Sequence, residues 1–419
     1  MSNTGPRRRR ASGLPSIARH GRLRTSNPWL VVLKYLAATM AVVLVSGASV
    51  AAFALWKIES NIKTVTLVGE TEGPPPALGA LEGGFNVLVV GSDRCEDPAG
   101  CKDRGTANLN DVTMLLHVAQ DQSNAVAVSF PRDLVIPIPS CPDPEGGNFH
   151  SMTAQPINVS LSYGGLPCTV LTVEALTGLS IQFAAEVTFS GVARLSSAVG
   201  GVPVCVNGPV VDKYSGINLP AAGEYTIEGW EALAFLRTRH GVGDGSDLGR
   251  ISNQQVFLSS LVRTVKSDGV LNDFGRLFNI ATVASETMTL SNSLKNLNTM
   301  VSMAQVLKNL PLERVLFVQY PGVTGQPGVY SGKVAPVKSA ANALVAKIQA
   351  DQPFSLQAGN TGVGSVANPN APVTTPDPSA SPSASAPATE APVVEAPAEV
   401  LPGIKGQSAA DYTCSKANN

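Results

Sequence analysis

The chain has 419 residues, 44% hydrophobic and 15% charged, which is ordinary globular composition and enough for two or three domains. A net charge of −1 and a pI near 6.4 exclude a generally basic nucleic-acid binder. The average hides a split: nine of the 30 basic residues lie at or before Lys57 with no acid among them, leaving an excess of ten acids over bases beyond it. Opposite charge in two parts of one chain suggests a membrane between them.

Residues 1–34 read as a basic cytoplasmic tail, and residues 35–56, YLAATMAVVLVSGASVAAFALW, as a transmembrane helix. These 22 uncharged residues would span about 33 Å at ~1.5 Å each, and Trp29, Tyr35 and Trp56 stand near the ends, where aromatic rings favour the interface. The seven arginines before Pro28 predict a cytoplasmic N-terminus, a single-pass anchor in the cell membrane and an extracellular C-terminal domain. VSGASVAAFA offers small residues that a signal peptidase accepts, but the length and late position of the run favour an uncleaved anchor. All six cysteines follow this segment, as expected outside the cell. Without a C-x-x-C pair and with four histidines in the chain, a structural zinc site is not expected. Cys95–Cys101 and Cys141–Cys168 are the expected disulfides, each closing a loop rich in Pro, Gly or charge, with the partners of Cys205 and Cys414 open.

Residues 57–84 read as a stalk ending in EGPPPALGALEGG. The compact domain is expected over residues 85–350. FNVLVVG (85–91), DVTMLLHV (111–118), NAVAVSF (124–130), VPVCV (202–206) and LERVLFVQYPG (312–322) read as strands. TVLTVEALTGL (169–179), SGVARLSSAVGG (190–201), EGWEALAFLRTRHG (228–241), LGRISNQQVFLSSLVRTVKSDG (248–269) and KSAANALVAKIQ (338–349) read as helices, most stopping at glycine. Strands interleaved with helices predict an α/β layered sheet. Residues 351–419, with PVTTPDPSASPSASAPATEAPVVEAPAE at their centre, are expected to be a disordered tail.

Charged residues interrupt these elements at four places. GSDR (91–94) follows one strand, Asp111 opens the next, SFPRD (129–133) ends a third, and FLRTRHGVGDGSDLGRISNQQ (235–255) holds Arg237, Arg239, Asp244, Asp247, Arg250, Gln254 and Gln255. Any one of these would ordinarily be a surface ion pair or a turn cap; four together suggest a focused anion pocket. Guanidinium forks suit phosphate, each charge-assisted bond contributing roughly 1.5–3 kcal/mol. Asp93 and Asp111 are hard oxygen ligands suited to Mg2+, and arginines with a carboxylate-held cation make a phosphoryl-transfer constellation. The chain holds no P-loop and no G-x-S-x-G elbow, and its one loose glycine pattern follows a helix, so a dinucleotide fingerprint is rejected. His117, on an apolar strand, reads as a packed, hydrogen-bonded histidine, and His240 as the better site candidate.

In order, NVLVVGSDR, NDVTMLLHV, SFPRDLVIPIP, TVEALTG, VGGVPV, GEYTIEGWEALAFLRTRHG and DLGRISNQQ resemble the LytR-CpsA-Psr family of cell-envelope proteins over a motif core of 86–265. The cysteine loops are similar to its actinobacterial branch. The resemblance implies a three-layer α/β/α fold around a central mixed sheet, with a hydrophobic lipid pocket. It implies transfer of a glycopolymer with one phosphate from a polyprenyl-pyrophosphate carrier to a muramic-acid hydroxyl of peptidoglycan. Carried over, Arg132, Arg237, Arg239 and Arg250 would bind pyrophosphate, Asp247 and Gln254 would complete the pocket, and Asp93 and Asp111 would hold Mg2+. Asp111, Arg132, Arg237 and Arg239 are the expected catalytic residues, with Asp111 or Asp93 as general base. Leu109 and Asn253 stand where many relatives carry arginine, with Arg104 a substitute for the first. A non-catalytic scaffold that binds wall polymer and lipid carrier, or a pyrophosphatase, is the alternative. A regulatory role finds no helix-turn-helix to support it, so no nucleic-acid partner is expected.

Overall fold

The computed structural model describes residues 28–70, 81–94, 108–267, 270, 273–371 and 398–418. The chain divides into two units, Met1–Trp56 and Lys57–Asn419. Helix α1 (Pro28–Asn61) starts at a proline, whose missing N–H costs nothing in a first helical turn. It is long and apolar enough to cross a membrane.

The larger unit is built on one mixed sheet. In chain order its strands are β1 (Lys63–Val65), β2 (Phe85–Ser92), β3 (Asn110–Val118), β4 (Ala125–Phe130) and β5 (Phe183–Thr188). Four more elements bear on the site: β6 (Val202–Val206), the hairpin β7 (Val210–Asp212) and β8 (Ile217–Leu219), and β9 (Gly223–Ile227). Then follow β10 (Met288–Ser291), β11 (Val315–Gln319), β12 (Ser365–Ala367), β13 (Gly406–Ser408) and β14 (Thr413–Ser415). The main sheet runs β1-β10-β5-β2-β3-β4-β11-β13, and a second sheet runs β9-β6-β14-β12. Parallel pairs β2–β5 and β4–β11 flank the antiparallel β2–β3–β4 centre.

Strand alternation decides the layers. Leu88, Val90, Leu115 and Val128 point to one face, where α2 (Val159–Thr177) and the later helix Lys338–Gln349 cover them. Val87, Met114 and Leu116 point to the other, under α3 (Phe189–Val199), α4 (Gly229–Arg237), α5 (Asp247–Ser267) and the helix Leu297–Asn309. The result is the expected three-layer α/β/α arrangement. Helix α2 also passes a length-and-hydropathy test for a membrane span, but it is the half-buried core helix of this sheet. Cys141–Cys168 anchors it as expected, and a side chain at Gly164 would meet both cysteine Cβ atoms at 2.8 and 3.0 Å, so glycine permits the crossing.

Two boundaries differ from expectation. The stalk's first residues finish α1 and form β1, an edge strand paired in parallel with β10. The tail expected over 351–419 is not uniformly outside the fold: β12, β13 and β14 join the two sheets, and Cys414 pairs with Cys205 across adjacent strands. Gln407 explains part of this return, donating to Gln255 O and Ser259 Oγ at 3.1 and 2.7 Å. The proline-rich 372–397, Arg104, Cys95 and Cys101 lie outside the described residues.

Candidate phosphate and lipid site

The site forms where β2 and β4 end and β3 begins. β2 and β3 pair Gly91 with Val112 and then Ser92 with Asn110, so Asp111 is the extra residue of a β-bulge. A bulge re-aims a side chain that strict alternation would send elsewhere. Asp93, one residue past β2, accepts the Leu109 N–H at 2.7 Å.

Asp111 receives a short hydrogen bond from Arg132, which follows β4. Arg250, one turn into α5, donates to Asp111 O at 2.8 Å and places Nη1 3.9 Å from its carboxylate. Asp247, the first residue of α5 and only 6% exposed, holds the remainder together. Its carboxylate accepts the Arg132 N–H at 2.9 Å, Arg239 at 3.2 Å and Arg250 at 2.6 Å. Asp247, expected to complete the pocket, thus lies among the arginines expected to bind pyrophosphate and pairs with two of them. Arg239 also lies 3.7 Å from Asp133. Arg237 stacks on Phe189, 4.5 Å from the ring centre, and Gln254 donates its amide to Leu236 O at 2.9 Å.

Burial alone would raise the Asp111 carboxyl. The Arg250 and Arg132 guanidiniums, the hydrogen bond from Arg132 and the field of Arg237 outweigh it and hold the group below its ordinary value. Arg132, despite burial, is raised by Asp111. Arg239 is lowered by burial and then by Arg250 and Arg132, against the pull of Asp247 and Asp133. A guanidinium keeps its charge regardless. Arg132, Arg237, Arg239 and Arg250 gather here with Asp111, Asp133 and Asp247, and guanidinium forks of this kind suit a phosphate-type anion.

An apolar cavity of about 280 Å³ opens beside this cluster. Val89, Met114 and Val187 from the sheet face Leu195, Leu233 and Phe257 from α3, α4 and α5, while Asp111, Arg237, Arg250 and Gln254 complete the wall. One end is suited to hydrocarbon and the other to phosphate, the requirement of a lipid pyrophosphate.

Asp93 and Asp111 present two carboxylates on neighbouring strands, one of them held ionised. Beside them Ser92 Oγ and Asn110 Oδ1 are buried without a hydrogen-bond partner among the described residues. Hard oxygens of this kind fit Mg2+. No group of three or more His, Cys, Asp or Glu gathers as a metal site among the described residues.

His117 is the packed histidine expected, with Nδ1 2.8 Å from Asn86 Oδ1 and Nε2 3.1 Å from Asp351. Asn253 fastens three elements: it donates to Phe235 O at 2.7 Å and its Oδ1 accepts from Ser415 Oγ at 2.5 Å. The sequence reading named no role for Asp133 and missed Lys333, 3.3 Å from Asp133; a parallel bridge between Leu134 and Val334 brings these distant segments together. Phe189, the platform under Arg237, likewise left no signal beyond opening a helix.

This geometry defines an α/β/α domain with an arginine cluster beside an apolar cavity, and the comparisons with known proteins specify its family. The chain matches the LytR_cpsA_psr family over residues 55–347 and belongs to that family. It is 30% identical over 274 residues to the cell wall biosynthesis protein LcpA of Corynebacterium glutamicum, covering 58% of this chain and 51% of that protein. It is 26% identical over 312 residues to the polyisoprenyl-teichoic acid–peptidoglycan teichoic acid transferase TagT of Bacillus subtilis, covering 72% and 89%. The chain spans about half the length of the curated corynebacterial relatives it matches. Among solved structures, the LytR-Csp2A-Psr enzyme of Actinomyces oris superposes with a TM-score of 0.50 at 19% identity, covering 68% of this chain and 95% of that one. The gbs0355 protein of Streptococcus agalactiae gives 0.52 at 18%, covering 64% and 88%; these likenesses bear on the fold alone.

Proposed function

We propose that this chain transfers a glycopolymer, with one phosphate, from a polyprenyl-pyrophosphate carrier to a muramic-acid hydroxyl of peptidoglycan. The single observation carrying this reading is the apolar cavity whose wall ends in Arg237, Arg250 and Asp111. The lipid occupies the cavity and the pyrophosphate the arginine cluster. The acceptor oxygen attacks the phosphorus that bears the glycan, the bond from that phosphorus to the bridging oxygen breaks, and polyprenyl phosphate leaves with the electron pair. The arginines balance charge on the transferred phosphate and on the leaving group. When bound by Asp93 and Asp111, Mg2+ would supply further charge neutralisation on the same oxygens. Three guanidiniums lower the basicity of Asp111, so Asp93, when it does not hold the cation, is the better base for the acceptor hydroxyl. Helix α1 anchors the chain with its arginine-rich N-terminus cytoplasmic, placing this site outside the cell membrane.

The test is transfer by the full chain in detergent from a synthetic polyprenyl-pyrophosphate glycan to a peptidoglycan-chain acceptor, with and without Mg2+. A phosphodiester-linked product that Arg239→Ala reduces about 10²–10³-fold is expected. Free glycan phosphate without attachment would mean a pyrophosphatase, and tight lipid binding without turnover a scaffold.

A further inference from the structure

The hairpin β7–β8 sets an exposed ring beside the arginine cluster. Asp212, the last residue of β7, is buried and accepts the Tyr214 N–H at 2.9 Å, the Thr238 hydroxyl at 2.8 Å, and the Arg239 and His240 N–H groups at 3.2 Å each. One carboxylate thus fixes the hairpin turn against the segment that carries Arg239. Gly241 makes the close approach possible, since a side chain there would stand 2.9 Å from Thr238 Oγ1. From the other side, Asn418 bonds the backbone carbonyls of His240 and Gly241 at 3.0 and 3.1 Å. On this braced turn, the Tyr214 and His240 rings lie 4.7 Å apart, yet they are 66% and 61% exposed. Lys213 Nζ lies 5.2 Å from the Tyr214 ring centre.

Rings left this exposed among the described residues suit a flat apolar face with hydroxyls at its rim, which describes a sugar ring. The order of exposure gives the direction. Arg237 and Arg250 line the lipid cavity, Arg239 does not line it and is more open than Arg250, and His240 is more open again. A pyrophosphate whose lipid fills the cavity therefore turns its other substituent toward these rings. We infer that Tyr214 and His240 form a subsite for the first sugars of the donor glycan, those carried on the phosphate that Arg239 contacts. This rests on the transferase reading, because it needs a glycan attached to the bound phosphate.

The experiment measures binding to the full chain in detergent by calorimetry, with two lipid probes and a muropeptide tetrasaccharide. One lipid is geranylgeranyl pyrophosphate; the other is the same lipid pyrophosphate bearing N-acetylglucosamine. Tyr214→Ala should weaken the sugar-bearing probe roughly tenfold and move the bare one less than about twofold, with Tyr214→Trp retaining both. His240→Ala should show the same pattern. Equal loss on both probes, or loss on neither, would overturn the subsite while leaving the lipid pyrophosphate reading intact. Loss of affinity only for a muropeptide tetrasaccharide would assign the rings to the acceptor and overturn the donor assignment. If the parent chain binds neither lipid, the transferase reading itself falls, and this subsite with it.

Discussion

Replacing Cys414 by serine should cost the larger unit about 5 kcal/mol. The Cys205–Cys414 bridge closes 209 residues, and the chain-entropy relation gives roughly 18 cal/mol/K for a loop of that length, near 5 kcal/mol at 25 °C. Cys141–Cys168 closes only 27, worth about 3.5 kcal/mol by the same relation. Domains of this kind are stable by ~5–15 kcal/mol, so the first loss is a large fraction of the whole. It would also reach the site. β14 carries Ser415, which bonds Asn253, and the next residue, Lys416, accepts the Gly243 N–H at 2.8 Å within the loop that leads to Asp247. Urea unfolding of parent, Cys414→Ser and Cys168→Ser, followed by tryptophan fluorescence, ranks the two bridges. The reasoning fails if Cys414→Ser lies within about 1 kcal/mol of the parent, or if Cys168→Ser costs more.

Three further outcomes follow from the cluster and the cavity. Asp247→Ala strips buried Arg250 and Arg239 of a shared counter-charge and should cost about 3–5 kcal/mol, read by the same unfolding experiment. Asp111 has a lowered folded pKa, so its stabilisation is full above the unfolded value near 4 and is lost as pH falls through the lower folded value. The stability gap between parent and Asp111→Asn should accordingly be constant near neutrality and shrink below about pH 4; a gap unchanged down to about pH 2.5 refutes the pairing. Leu195→Trp, which pushes an indole into the cavity, should weaken geranylgeranyl pyrophosphate binding at least about tenfold while leaving the melting temperature within a few degrees.

Much of the fold was legible because its strands announce themselves by composition. FNVLVVG, DVTMLLHV and NAVAVSF are apolar runs of strand length, and each is a central strand. Elements held by tertiary partners were not legible. Three-residue strands such as β1, β13 and β14 are too short to show a period, and their places are set by a disulfide, by Gln407 and by free sheet edges. The helix read as 228–241 ends at Arg237, because Asp212 captures the Thr238 hydroxyl and the next two N–H groups. That early end matters, for it lets Arg237 face the cavity while Arg239 faces Asp247. The arginines and Asp111 were visible as charges misplaced at strand ends. The partners that aim them, Phe189, Asp133 and Lys333, come from segments whose approach no local pattern records.

The same partners explain how so many guanidiniums can be held close together. Bringing Arg250 to 3% exposure would be costly if it stood alone, and Asp247 and Asp111 offset that cost by accepting its guanidinium. Asp247, at the start of α5, pairs with Arg239 and Arg250 away from the cavity lining, while Asp111 in its bulge lines the cavity beside Arg237 and Arg250. In the transferase reading proposed above, dipoles held in place in this way would leave little reorganisation when charge moves to the leaving phosphate. The bulge at Asp111 and the salt bridges of Asp247 act together: one gives up regular pairing and the other buries charge, and both hold arginines at the polar end of an apolar cavity.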